Sequence, residues 1–82
     1  MPRSRSASFT GSALVHTGEI SLTAISFTGF TAVKAYDGTD NSGQLIFTCV
    51  NAGSYAFNHE LACVKGLYVE CAGTGTVVVN TI

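Results

Sequence analysis

Polar and apolar residues alternate along most of this chain with the two-residue period of a pleated strand, and glycines interrupt the alternation at strand-length intervals. Gly66-Leu67-Tyr68-Val69-Glu70-Cys71 sends Leu67, Val69 and Cys71 to one face and Tyr68 and Glu70 to the other. The closing stretch separates Val77, Val79 and Thr81 from Val78, Asn80 and Ile82. Between positions 44 and 50, Leu45, Phe47 and Cys49 share a face, with Ile46 and Val50 opposite. Between 19 and 28 the apolar phase starts on Ile20, Leu22 and Ala24 and then moves to Ile25 and Phe27. That slip predicts a β-bulge or bend around Ala24. Together the pattern predicts strands over 13–17, 19–28, 31–36, 44–50, 55–58, 67–72 and 76–81.

The fold class that follows is all-β, a small antiparallel sandwich or barrel of about six to seven strands. Abundant Thr, Val, Ile, Phe and Tyr suit a pleated surface, and the single proline stands at position 2. The 82 residues allow one domain, here 13–82, preceded by a flexible N-terminal arm over 1–12. Several strands carry apolar residues on both faces, whereas a small sandwich buries only one face of each sheet. The second face therefore calls for a partner, and a homo-oligomer is expected.

Composition narrows the classes of function. Hydrophobic residues make up 46% of the chain and charged residues 11%, which excludes a charge-solvated disordered polymer. A net charge of -1 argues against phosphate neutralisation along a nucleic acid. No run approaches the roughly 20 apolar residues of a membrane-spanning helix, and no apolar segment follows Arg3 and Arg5 as a secretory signal would require. Neither nucleic acid nor membrane is an expected partner. Cys49, Cys63 and Cys71 form an odd set without a Cys-x-x-Cys pair, which fits reduced, buried thiols better than a disulfide framework.

Candidate chemistry is sparse. The turn-forming segment 37–43 holds Asp37, Asp40, Asn41 and Ser42, but its spacing matches no EF-hand loop. His59, Glu60 and Cys63 lie close in sequence; in an extended strand His59 and Cys63 stand about 13 Å apart, too far for proton transfer, whereas in a short helical turn they are neighbours. His16 has no ligand-spaced companion for zinc. Gly73-Thr74-Gly75 precedes no helix that would receive a phosphate. No enzyme activity, catalytic residue, metal or cofactor is expected. The candidates for an interface are Arg3, Arg5 and Phe9 of the arm, together with Ile46, Val50, Tyr68 and Val78 on the second faces of strands.

The segment Ala35-Tyr36-Asp37-Gly38-Thr39-Asp40-Asn41-Ser42-Gly43-Gln44-Leu45-Ile46-Phe47, followed by Gly66-Leu67-Tyr68-Val69-Glu70-Cys71-Ala72-Gly73-Thr74-Gly75-Thr76-Val77-Val78-Val79, resembles a set of short β-sandwich proteins encoded among the virion genes of tailed bacteriophages. A "YDGTSASG" hairpin, a "LF" strand and a closing "GLYV…GTGTVTV" pair recur in that group. Cys71 departs from the group's pattern, which has Val or another apolar residue there. The resemblance implies a virion structural protein, foremost a capsid decoration (cement) protein. It would bind the major capsid protein or another virion protein as a homotrimer, and reside in the virion after assembly in the host cytoplasm. Two alternatives stand beside it. One is a tail, neck or baseplate component; the other is a small non-catalytic carbohydrate- or peptide-binding module using Tyr36, Tyr55 or Tyr68 as a platform.

Overall fold

Two strands much longer than the alternation predicts organise the molecule. The computed structural model describes residues 5–82 as six strands. They are β1 (Arg5–Phe9), β2 (Ala13–Thr17), β3 (Ile20–Asp37), β4 (Gln44–Cys49), β5 (Gly53–Cys63) and β6 (Gly66–Thr81). β3 and β6 pair antiparallel along most of their length. On the far side of β6, β1 lies against its C-terminal part and β2 against its N-terminal part. On the far side of β3, β5 and β4 divide the strand in the same way. The sheet is thus four strands wide at either end, and the fold is all-β as the sequence predicts.

A flat sheet of this length would leave both faces wet, and the chain avoids this by bending at its middle. The bend falls where Gly29 and Gly75 let the long strands approach. A Cβ on Gly75 would stand 2.1 Å from the Thr28 carbonyl oxygen, and one on Gly29 would stand 2.7 Å from that of Thr74. Gly29 also holds φ at +87°, a conformation that side chains disfavour. Beyond the bend the two halves face each other. Leu22, Ile25, Phe27, Val77 and Val79 of one half form a single buried cluster with Val33, Ala35, Leu67 and Val69 of the other, and Phe30 fills the corner. The 18 Å short dimension of the molecule fits two sheet layers about 10 Å apart.

Register follows the apolar phase. Buried positions along β3 run Leu22, then Ile25 and Phe27, then Phe30, then Val33 and Ala35. Its pairing with β6 shifts at Leu22/Ala24, Thr28/Phe30 and Phe30/Ala32, so each slip in the pattern coincides with a bulge that returns the next apolar residue to the core. The bulge predicted around Ala24 is the first of these.

Three expectations are corrected. Residues 19–28 and 31–36 belong to one strand, as do 67–72 and 76–81, because Gly29, Gly73 and Gly75 permit a bend without ending the pairing. β5 extends well past 55–58; it bulges where Thr23 of β3 alone faces residues 57–60, then pairs again at Leu61. The arm expected over 1–12 is, within the described residues, largely sheet. Arg5–Phe9 form β1, in register with Val77–Thr81 of β6, because alternating small and apolar residues complete an otherwise unpaired edge. Arg3 lies outside the described residues.

Candidate interaction face

The bend gives the molecule two outer faces, and pairing register determines what each displays. In the half built by β1, β5, the end of β6 and the start of β3, one cross-strand row reads Ser8, Val78, Ser26, Ser54. The row beside it reads Ser6, Asn80, Ala24, Ala56. Ser6 donates its hydroxyl hydrogen bond to Asn80 Oδ1, and Thr23 Oγ1 donates to the Asn80 carbonyl at 3.0 Å. This serine face is built of short side chains, with Val78 as its largest apolar group.

The other half is different. Leu14 of β2 pairs with Tyr68 of β6, Tyr68 with Tyr36 of β3, and Tyr36 with Leu45 of β4. Directly paired residues project to the same side, so Leu14, Tyr68, Tyr36 and Leu45 form one continuous row across four strands. The flanking leucines are 44% and 47% exposed, large values for side chains of this hydrophobicity. The two phenol rings sit 6.4 Å apart, centre to centre, tilted by 43°.

Beside the tyrosines runs a charged row. Glu70 of β6 is the cross-strand partner of Lys34 of β3, which pairs in turn with Thr48 of β4. Tyr36 donates its hydroxyl hydrogen bond to Glu70 Oε1 at 3.3 Å, and Asn41 Nδ2 donates to Oε2 at 3.0 Å. Partial burial, and then the Glu70 carboxylate, push the Tyr36 phenol above its ordinary pKa. Lys34 and Glu70 flank a shallow groove of about 330 Å³ lined also by Ser12, Ala32, Cys71 and Ala72. Ser12 closes its far side, accepting from the Cys71 N–H at 2.8 Å and donating to the Cys71 carbonyl at 3.4 Å.

The hairpin loop after β3 positions one end of this face. Asp37 accepts hydrogen bonds from the backbone N–H groups of Val64 and Lys65 at 3.0 and 2.9 Å, locking the β5–β6 turn. The bond from Lys65, then that from Val64, holds the Asp37 carboxyl below its usual range. Asp40 accepts from the N–H of Ser42 at 2.9 Å and from its hydroxyl. Both acidic side chains of the loop thus fasten backbone, which accounts for a hairpin so rich in turn residues.

The sequence-derived candidates separate on this frame. Tyr68 stands at the centre of the tyrosine row, and Val50, 66% exposed, follows directly on β4. Val78 lies instead on the serine face. Arg5 is exposed on β1. Phe9 pairs with Val77 and packs half-buried against the molecule's own core, so it is not a free anchor for a neighbour. Ile46 likewise packs against the core, because β4 carries an extra residue between the Ala35–Phe47 and Tyr36–Leu45 pairs. That bulge turns Leu45 outward in its place. Sequence reasoning missed Leu14, Leu45, Lys34 and Glu70, since their alignment depends on register between distant strands. Of the tyrosines proposed as a platform, Tyr36 and Tyr68 meet, while Tyr55 lies elsewhere in an aromatic group with Phe27, Phe47 and Phe57.

Among the described residues the reactive groups do not converge. Cys63 is buried in the core, where burial pushes its thiol up to about 11, and His59 is exposed on the β5 bulge. Cys71 is half-buried, its thiol raised by desolvation. All three cysteines are free, and among the described residues no three His, Cys, Asp or Glu side chains cluster as metal ligands would. Among the described residues no helix is long and apolar enough to cross a membrane. No known family model, curated protein or solved structure matches this chain.

Proposed function

We propose that this chain is a non-catalytic structural protein of a bacteriophage virion, a capsid decoration protein that works as an oligomer seated on shell subunits. The observation that carries the interaction role is the row Leu14, Tyr68, Tyr36, Leu45, two exposed leucines flanking two half-buried tyrosines, on a molecule whose other face is built of short side chains. Burial of such side chains drives association, and tyrosine adds contact area with a polar tip. The virion assignment is supported by the hairpin and closing-strand motifs. Each copy would stabilise the junction beneath it by mass action, binding the assembled shell and not its dissociated subunits.

The test is occupancy on particles. Purified virions of the phage that encodes the chain are expected to contain it in many copies on the head, visible by immunogold electron microscopy. Label confined to the tail, neck or baseplate would reassign it there, and absence from virions would refute the proposal. A carbohydrate-binding reading is favoured by one specific feature, the tilted Tyr36–Tyr68 pair beside Glu70 and Asn41. Binding of the monomer to a glycan array, lost in Tyr68→Ala, would establish that reading instead.

A further inference from the structure

We infer that the tyrosine face pairs with the same face of a second copy about a two-fold axis. The inference rests on the interaction role proposed above and names the partner of this face. Consider an axis parallel to the strands, lying between the two molecules and midway between β3 and β6. Rotation about it places β6 of one copy opposite β3 of the other, and β2 opposite β4, while each row stays at its own height along the strands. Tyr68 then faces Tyr36 of the second copy, and Leu14 faces Leu45. In the adjoining row Glu70 faces Lys34 of the second copy, and the same contact repeats on the other side of the axis.

These positions thus meet chemically matched ones: apolar on apolar, aromatic on aromatic, carboxylate on ammonium. A closed isologous pair needs this self-complementarity, whereas the trimer expected from the sequence needs two different surfaces that fit one another. The serine face offers no equivalent, since the same operation there sets Val78 against Ser26.

Area sets the strength. Four strands by about three rows cover a patch roughly 20 Å on a side, on the order of 400 Å² per copy. A stable interface buries about 800 Å² per partner, so the pair forms in the micromolar-to-millimolar range and is favoured where copies are held close together.

Sedimentation velocity on the full chain, across that concentration range, tests the inference. Wild type is expected to shift from monomer to dimer. Lys34→Glu and Glu70→Lys, each alone, place like charges opposite one another and are expected to weaken dimerisation by about tenfold or more. Mixing the two variants in equal amounts restores it. In the mixed pair the carboxylate introduced at position 34 of one chain meets the ammonium introduced at position 70 of the other, and across the axis the unaltered Glu70 meets the unaltered Lys34. This rescue acts only between chains, so it separates the interface from the cross-strand neighbours within one chain. Wild type that stays monomeric, or a mixture that does not recover, overturns the two-fold pairing. If monomeric wild type nevertheless loses shell occupancy on Leu14→Ser, the face belongs to the shell protein; the pairing falls and the virion role stands. Dimerisation with trans rescue in a chain absent from virions keeps the pairing and removes the virion role.

Discussion

The two halves of this molecule share one core and one pair of long strands, yet their outer faces have opposite characters. At equivalent central positions of β6, each next to a buried valine or leucine, one face shows Val78 between serines and the other Tyr68 between a leucine and a tyrosine. Both halves contribute buried residues to the shared core. A short, polar face suits exposure to water, and a face that exposes leucines beside half-buried tyrosines suits contact. The asymmetry teaches that burial of the inner faces is only part of what the sequence is built to do.

The largest expected effect is at the corner that holds the halves together. Gly75→Ala drives a methyl group into the Thr28 carbonyl and the Phe30 amide, and is expected to cost about 5 kcal/mol or more, most of the stability of a chain this small. Gly11→Ala, where nothing lies within 4 Å, serves as the control and should leave the urea midpoint nearly unchanged. Next comes the shared core. Phe27→Ala removes a ring that is 2% exposed and should cost about 3–5 kcal/mol, whereas Val78→Ala on the serine face should stay within about 1 kcal/mol. Both halves should melt in one transition by circular dichroism; two transitions would mean that the halves are separate folding units.

A smaller effect sharpens the comparison at the tyrosine end. The carboxyl of Asp37 is held below its usual range by the N–H groups of Lys65 and Val64. Its stabilising contribution is therefore present above the unfolded carboxyl value of about 3.9 and is lost as pH falls through the lower folded value. Asp37→Asn should lower the melting temperature at pH 7 by roughly 5 °C and flatten its decline as pH falls below the unfolded carboxyl value of about 3.9. An unchanged acid limb would show that the β5–β6 turn holds without this carboxylate. The smallest effect is kinetic. The Tyr55 hydroxyl, and then the Asn51 backbone, lower the Cys49 thiol, while burial raises Cys71 and Cys63. Alkylation at pH 8 followed by mass spectrometry should label Cys49 first and Cys63 last.

Much of the inner architecture was legible in the chain. Leu67 shares a face with Val69, and Val77 with Val79, as read, and the structure buries those faces, because a strand's two faces follow from its own residues. The slip around Ala24 was legible for the same reason. The ends of elements were not. Gly73 and Gly75 have turn chemistry, but turn residues permit an ending without requiring one, and the partner strand carried the pairing onward. The arm was misread because Arg5–Phe9 acquires its structure only from the free edge of β6.

The outer rows were beyond reach for a related reason. Leu45 was read on one face with Phe47 and Cys49, and a bulge at Ile46 separated it from them. Leu14 and Tyr68 lie far apart in the chain, and only the register of β2 on β6 sets them side by side. Taken alone, the order of residues determined that this protein is all-β and how the residues of most strands divide between two faces, since a two-residue period is a local property of the chain. Tertiary structure decided that β3 and β6 bend without breaking, and that two leucines and two tyrosines from four strands line up on one face. Such alignment depends on long-range pairing and on bulges, where a shift of a single residue changes every neighbour.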